Sequence, residues 1–219
     1  MTDKIKDFIE KYIKFIEENE WEKIYQAAPG DLKNDIGKFT EVMLAADIHP
    51  EYYLHELPKY FLLESNLKEF KITNNVTSIG SYAFMSCSKL TSVTIGNSVT
   101  SIGNWAFWCC SSLTSVAIPD SVTSIGKGAF ADCSSLTNVT IPDSVTYIDS
   151  PAFQNCLSLI NIIIKNPEIK FSDNVFEHCK DLDIQFVGTR NQWKTIAKGK
   201  FSGVTYTCTC IDGVVKKSR

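Results

Sequence analysis

The stretch SSLTSVAIPDSVTSIGKGAFADC, residues 111–133, decides the fold because variants of it recur along the chain at a fixed spacing. Every 23 residues the chain carries an Ala-Phe pair or its Val-Phe variant, followed three residues later by a cysteine. The phenylalanines of these pairs are Phe84, Phe107, Phe130, Phe153 and Phe176. Leucines keep the same period from Leu67 to Leu182. Several residue classes in one register are typical of a repeat architecture, in which each repeat is one supersecondary unit.

Each unit has the features of a single coil of chain. The letters LTSVAI at 113–118 end in an alternation of apolar and polar side chains, which predicts a half-buried β-strand. The Pro-Asp pair at 119–120 turns the chain, and Gly126 permits a tight bend. The Ala-Phe pair and the cysteine after it fall at helical spacing, which predicts a short helix or helical turn on the return leg. Since one coil cannot bury its apolar side chains alone, the units must stack into a solenoid.

The repeated pattern L-x-x-V-x-I-P-x-S-V-T-S-I-G-x-x-A-F-x-x-C resembles the BspA-like leucine-rich repeat family. The resemblance covers residues 65–187, and the segment that follows, up to about residue 213, resembles the closing segment of such arrays. It implies a right-handed leucine-rich-repeat solenoid of about six coils, with a parallel sheet on its concave face. It also implies a protein of the kind that bacteria and protozoa display on their surface to bind host proteins or other cells.

The chain of 219 residues divides into three predicted parts, which together make an α+β protein. Residues 1–64 are predicted to form a helical N-terminal domain, residues 65–187 the leucine-rich repeats, and residues 188–219 a C-terminal cap and tail. The first part carries 8 Lys and Arg against 14 Asp and Glu, whereas the remainder carries 14 against 11. This change in charge balance supports a domain boundary near residue 64.

The C-terminal part is expected to close the array, because the last coil would otherwise expose an apolar end to water. Trp193 and Ile196 are the predicted cover, and residues 204–211 are a predicted final strand. The last full unit is irregular, since LDIQF at 182–186 shortens the strand pattern by one residue.

Residues 1–64 show the periodicity of helices rather than of the repeat. An apolar stripe predicts a helix over about residues 3–19, and Asp31 can cap a second helix that runs to about residue 46. A third, short helix is predicted between two prolines that follow. Two interpretations stay open: the domain caps the first coil, or it is a partner-binding module in its own right.

The sequence contains no motif that indicates catalysis or a cofactor. Five of the eight cysteines fall at the same inward position of successive coils, where we expect a packed ladder of small apolar side chains. Cys208 and Cys210 fall on the predicted final strand, and we interpret their sulfurs as facing opposite sides, which makes a poor chelate. The three histidines are scattered, and neither a G-x-S-x-G motif nor a P-loop occurs. We therefore predict a protein that is not an enzyme and that binds no cofactor or metal.

Two surfaces are candidate partner-binding sites. The first is the outward face of the predicted sheet, where two polar and nearly uncharged rows run across the strands. The candidate residues of these rows are Ser92, Ser115, Asn138 and Asn161, together with Thr94 and Thr140. The second is the aromatic patch, which we define as Tyr82, Met85, Trp105 and Trp108, the large side chains that flank two successive Ala-Phe pairs. Exposed apolar patches usually mark contacts, so we predict a site there for a partner or for self-association.

Charge and hydropathy guide the expected partner and location. A net charge of −3 gives no reason to expect nucleic acid as a partner. Charged residues interrupt the N-terminal sequence every few positions, and no stretch reaches the ~18 consecutive apolar residues of a membrane helix. We therefore expect a cytoplasmic protein without membrane insertion, with the cell surface, reached by a route that the sequence does not show, as the alternative.

The predicted function is protein–protein interaction. The interpretation that the missing signal peptide favours is an intracellular binder or inhibitor of a macromolecular partner, which includes an inhibitor encoded by a mobile element. The alternative is a cell-surface adhesin or host-contact protein of the BspA-like type. The sequence does not identify the protein partner.

Overall fold

The computed structural model describes residues 68–72, 74 and 76–218 of the chain. The helical domain predicted at 1–64 lies outside the described residues. The described residues form a β-solenoid of about six coils that is closed by a C-terminal cap. Over these residues, no helix has the length and apolar character needed to cross a membrane.

Thirteen strands and one helix make up this part of the chain. In chain order they are β1 (Glu69–Lys71), β2 (Ser78–Ile79), β3 (Ser92–Thr94), β4 (Ser101–Ile102), β5 (Ser115–Ala117), β6 (Ser124–Ile125), β7 (Asn138–Ile141), β8 (Tyr147–Ile148), β9 (Asn161–Ile164), β10 (Lys170–Phe171), β11 (Leu182–Phe186), α1 (Arg190–Ile196), β12 (Tyr206–Cys210) and β13 (Gly213–Lys217). The first sheet has the order β1-β3-β5-β7-β9-β11-β12-β13, and the second has the order β10-β8-β6-β4-β2. Strands pair in parallel except for β12 with β13, which are antiparallel.

The second sheet was not predicted from the sequence. Its strands hold only two residues each, so they show no alternation of apolar and polar side chains that could reveal them. The inner residue of each pair, such as Ile102 or Ile125, is buried, and its neighbour is half-buried in β2, β4 and β6 and exposed in β8 and β10. Threonines reinforce the stacking beside it, since Thr123 Oγ1 donates to the Thr100 carbonyl at 3.1 Å.

The register of the first sheet confirms the two predicted rows. Ser92 aligns with Ser115, Ser115 with Asn138, and Asn138 with Asn161. β11 then pairs Asp183 with Asn161, an offset of 22 instead of 23 residues. The predicted shortening of the last unit by one residue is therefore confirmed.

The helical turn predicted for the return leg is wrong. These segments are successive turns in which some bonds stay within the coil, such as Cys87 N–H to the Phe84 carbonyl at 3.2 Å. Others cross to the next coil, such as Phe84 N–H to the Ala106 carbonyl at 2.6 Å. A helix would keep these bonds within one segment. The residue before each cysteine also has a left-handed backbone, as at Ser86 with φ of 61°, and this ends any helical run.

The core is a column of stacked side chains that follows the 23-residue period. The rings of Phe84 and Phe107 stack with centroids 4.9 Å apart, and Phe107 stacks on Phe130 at 5.2 Å. The cysteines form a second buried column, as predicted, and Cys133 is completely inaccessible to solvent. Because each coil contacts only its neighbours, the array depends on these columns for its stability.

The cap closes the array as expected and contains more structure than predicted. Thr189 and Gln192 form a capping box at the start of α1, and Trp193 is completely buried on that helix. Ile196 is partly buried against the core. The predicted strand at 204–211 is confirmed as β12, with slightly narrower bounds, whereas the expected tail forms an additional strand, β13.

Candidate binding surfaces

The aromatic patch lies on the return legs of the first two described coils. The two legs are joined by backbone hydrogen bonds from Tyr82 N–H to the Asn104 carbonyl and from Ser86 N–H to the Trp108 carbonyl. The four members of the patch therefore lie on adjacent, hydrogen-bonded return legs. Tyr82 is 47% exposed, whereas the other three members, Met85, Trp105 and Trp108, are half-buried. The two indole rings pack edge to face, with centroids 5.6 Å apart.

Trp105 is held in place by the coil that follows it. A Cβ atom at Gly128 would lie 2.1 Å from Cε3 of Trp105, so the indole ring lies directly over this glycine. Gly128 also has a φ of +62°, which glycine adopts without steric cost. The aromatic patch therefore ends at Gly128, which the Trp105 ring covers.

Trp108 is held by a polar ladder that the sequence reading missed. Its Nε1–H donates to Oδ2 of Asp132 at 2.8 Å, and Nδ2 of Asn155 donates to Oδ1 of Asp132 at 2.9 Å. Asn155 Oδ1 in turn lies 2.9 Å from Nδ1 of His178. Asp132, Asn155 and His178 stand immediately before successive cysteines, so reading that column of the repeat would have revealed the ladder.

Two members of the aromatic patch occupy a strained backbone position. The residue before the Ala-Phe pair has a φ of 64° at Tyr82 and 58° at Trp105. In two later coils, this position holds Gly128 and Asn174, the residue types that suit a left-handed backbone. For a bulky residue the left-handed conformation costs roughly 1–2 kcal/mol.

The first sheet presents the predicted rows to solvent. Thr94, Ser115, Asn138 and Asn161 are exposed, and Ser92 and Thr140 are half-buried. These six residues lie on one face of the sheet, and their role in binding stays a prediction.

The C-terminal end of the same sheet is more apolar than predicted. Val187, Ile211 and Val214 are 44%, 72% and 49% exposed. A depression of about 350 Å³ is lined by Ile163, Val187 and Ile211 around Gln185 and Thr209. The sequence did not predict this apolar surface because Val187, Ile211 and Val214 lie outside the 23-residue pattern, in the cap and at its junction with the repeats.

The prediction that the sulfurs of Cys208 and Cys210 face opposite sides of the strand is wrong. The two sulfurs lie 3.8 Å apart, and both side chains are buried. Residues two apart on a strand point to the same face, which the interpretation overlooked. Burial raises the pKa of both thiols, so neither favours the thiolate that a metal needs. Among residues 68–72, 74 and 76–218, no three metal-binding side chains cluster.

The repeat identifies the family once it is compared with known families. A model of the BspA type leucine rich repeat region matches residues 55–183, with six copies of the repeat. The chain belongs to the BspA-type leucine-rich repeat family. The match begins before the predicted boundary at residue 64 and ends in β11.

Solved structures of leucine-rich repeat proteins are similar to this BspA-type chain. A leucine-rich repeat protein of T. pallidum is 26% identical with a TM-score of 0.52, over 55% of this chain and 59% of that one. A leucine rich cell surface protein of Faecalibacterium prausnitzii A2-165 is 36% identical with a TM-score of 0.57, over 59% of this chain and 34% of that one. The BspA-type chain therefore matches about three fifths and one third of their lengths. No curated protein matches it.

Membership in the BspA-type family indicates a protein-binding or surface module. The family and fold are typical of protein interaction rather than catalysis. This agrees with the coarse function predicted from the sequence, and it does not identify the partner.

Proposed function

We propose that the protein is a non-enzymatic binding module that contacts a protein partner through the aromatic patch. The observation that carries the proposal is the left-handed backbone at Tyr82 and Trp105. Glycine would relieve this strain, as it does at residue 128, so the large side chains have a use that offsets their cost. Contact with a partner is such a use, particularly for Tyr82, which is the most exposed of the four.

The packing of the patch supports this role. Trp105 is fixed over Gly128, and Trp108 is fixed by Asp132. Side chains that are already ordered lose little conformational freedom on binding, so more of their contact energy appears as affinity. Tyrosine and tryptophan are also the residues that most often dominate the binding energy of interfaces.

The test compares two tyrosine variants. Tyr82→Ser removes the exposed ring of the patch, and Tyr147→Ser removes a tyrosine of similar exposure, 42%, on the second sheet. Each protein is used as bait with extracts and with intact cells, and captured proteins are identified by mass spectrometry. A partner captured by the wild type and by Tyr147→Ser, but lost with Tyr82→Ser, supports the proposal. Equal capture by all three proteins contradicts it.

The first sheet is the second candidate surface, because the apolar depression around Gln185 continues the polar rows. Asn138→Arg places a long charged side chain in the middle of these rows without altering the core. If the sheet carries the contact, Asn138→Arg abolishes capture whereas Tyr82→Ser leaves it intact. Self-association through the aromatic patch would instead appear as an increase in molar mass that Tyr82→Ser abolishes.

The proposed setting is the cell surface rather than an intracellular role as a binder or inhibitor. The 36% identity to a leucine rich cell surface protein favours this setting. Fractionation of the source cell, combined with protease treatment of intact cells, tests it. Degradation of the protein by the external protease supports the surface setting, and complete protection in a soluble fraction supports the intracellular one.

A further inference from the structure

The eight-stranded sheet ends at the outer edge of β13. β13 pairs with β12 in antiparallel register, from Tyr206 opposite Lys217 to Cys210 opposite Gly213. Within the part of the chain that the structure describes, no other strand lies against its outer edge. Such an edge presents a row of backbone N–H and C=O groups that can pair with a further strand.

We propose that β13 is a docking site at which an extended, acidic polypeptide segment adds to the sheet as its ninth strand. In this mode of recognition, backbone hydrogen bonds supply affinity and alternate side chains supply specificity. This site is at the end of the array opposite to the aromatic patch. The proposal for β13 and the proposal for the aromatic patch can therefore be tested independently.

The side chains of β13 define the segment that fits. Val214 and Lys216 are exposed on the outward face of the sheet, two residues apart. Lys216 forms no ion pair with any described residue. Lys217 is half-buried and donates to the Phe201 carbonyl. A strand added to this edge would therefore place an apolar side chain near Val214 and a carboxylate near Lys216, two residues apart on the same face of that strand.

The surroundings of Lys216 leave its charge available to the edge. Asp183 lies on β11, two strands away from β13, which corresponds to about 10 Å at the usual strand spacing. An added strand would be only about 5 Å from β13 and therefore closer to Lys216. Lys216 and Asp183 line one depression of about 450 Å³ over β12, but no ion pair joins them.

The same lysines disfavour a second copy of this chain as the occupant. Lysine on an edge strand is a common protection against pairing with a second copy of the same strand, and β13 carries Lys216 and Lys217. An acidic segment is favoured instead, because its carboxylates are attracted to the positive charges of these lysines. Charge complementarity therefore selects the occupant.

The test measures peptide binding to the full chain by fluorescence anisotropy at low salt. The probes are a labelled synthetic peptide that repeats Val-Thr-Glu-Thr, the matched peptide that repeats Val-Thr-Lys-Thr, and the acidic peptide with every backbone nitrogen methylated. Methylation removes the N–H donors without changing the side-chain charges. The protein variants are Lys216→Glu and, as a matched control, Lys198→Glu, which reverses an exposed lysine elsewhere in the cap.

We expect the acidic peptide to bind the wild type and Lys198→Glu alike, and the basic peptide not to bind. Methylation and Lys216→Glu should each weaken binding by about tenfold, because one removes backbone bonds and the other turns an attraction into a repulsion. Thermal unfolding establishes that both variants are folded. The proposal is overturned if the acidic peptide does not bind, if both peptides bind equally, if methylation has no effect, or if the two variants behave alike.

Discussion

The thiol of Cys133 donates a hydrogen bond to the backbone carbonyl of Phe107 in the preceding coil, with 3.2 Å between Sγ and O. The same contact joins Cys110 to Phe84, Cys156 to Phe130 and Cys179 to Phe153. The cysteine column therefore does more than fill space with small apolar side chains. It links each return leg to the one before it.

Cys133→Ala should lower the free energy of unfolding by about 1–2 kcal/mol, since it removes both the buried sulfur and its hydrogen bond. Folding and partner binding should persist, because the thiol is not exposed. Cys109→Ala is the matched control: Cys109 is half-buried and outside the column, so the change should stay within about 0.5 kcal/mol. Chemical denaturation measures both variants, and equal losses would contradict a structural role for the column.

Phe107→Ala should lower the free energy of unfolding by about 3–5 kcal/mol, the usual range for truncating a buried aromatic ring. The ring of Phe107 is stacked on both faces, by Phe84 and Phe130, so neither neighbouring coil can easily fill the cavity. Phe107→Leu keeps most of the apolar volume and should cost clearly less. Thermal and chemical unfolding measure the effect, and an unchanged curve for Phe107→Ala would place the ring outside the core.

The repeat could be predicted from the sequence because its constraint is periodic. Every coil must place Phe107 or its equivalent against the same neighbours, so the period, the core columns and the rows of the first sheet all follow from alignment of the units. The cap could be predicted in part from the sequence, because an open apolar end needs a cover such as Trp193.

The rest depended on contacts that have no signature within one unit. The return leg was predicted as helical because the spacing of Ala129, Phe130 and Cys133 fits a helix. Its alternate N–H groups, those of Phe130 and Asp132, instead donate to the next coil. The polar ladder from Trp108 through Asp132 likewise exists only between coils. In the return leg, tertiary pairing therefore overrode local periodicity.

The free energy of unfolding should fall as the pH rises above 9, and the Cys179 thiol should contribute to this fall. Burial raises the pKa of this thiol from an ordinary 9.0 to about 12. The unfolded chain therefore loses the proton first, and the stabilising contribution is complete below pH 9 and lost as the pH rises toward 12. The difference in unfolding free energy between wild type and Cys179→Ala should shrink over this range, as measured by denaturation at a series of pH values. Parallel curves above pH 9 would show that the thiol is not held protonated by burial.

Gly128→Ala should be destabilising for two separable reasons. The left-handed backbone, with φ of +62°, costs an alanine roughly 1–2 kcal/mol, and the added Cβ would collide with the Trp105 ring. Gly199→Ala is the matched control, since Gly199 has a φ of +75° but nothing within 4 Å of the added Cβ, so only the backbone cost applies. Combining Gly128→Ala with Trp105→Ala should remove the collision, so the double variant is more stable than the sum of the single changes predicts. Additive changes in the unfolding free energies would show that Trp105 does not lie over Gly128 and that the aromatic patch is less fixed than described.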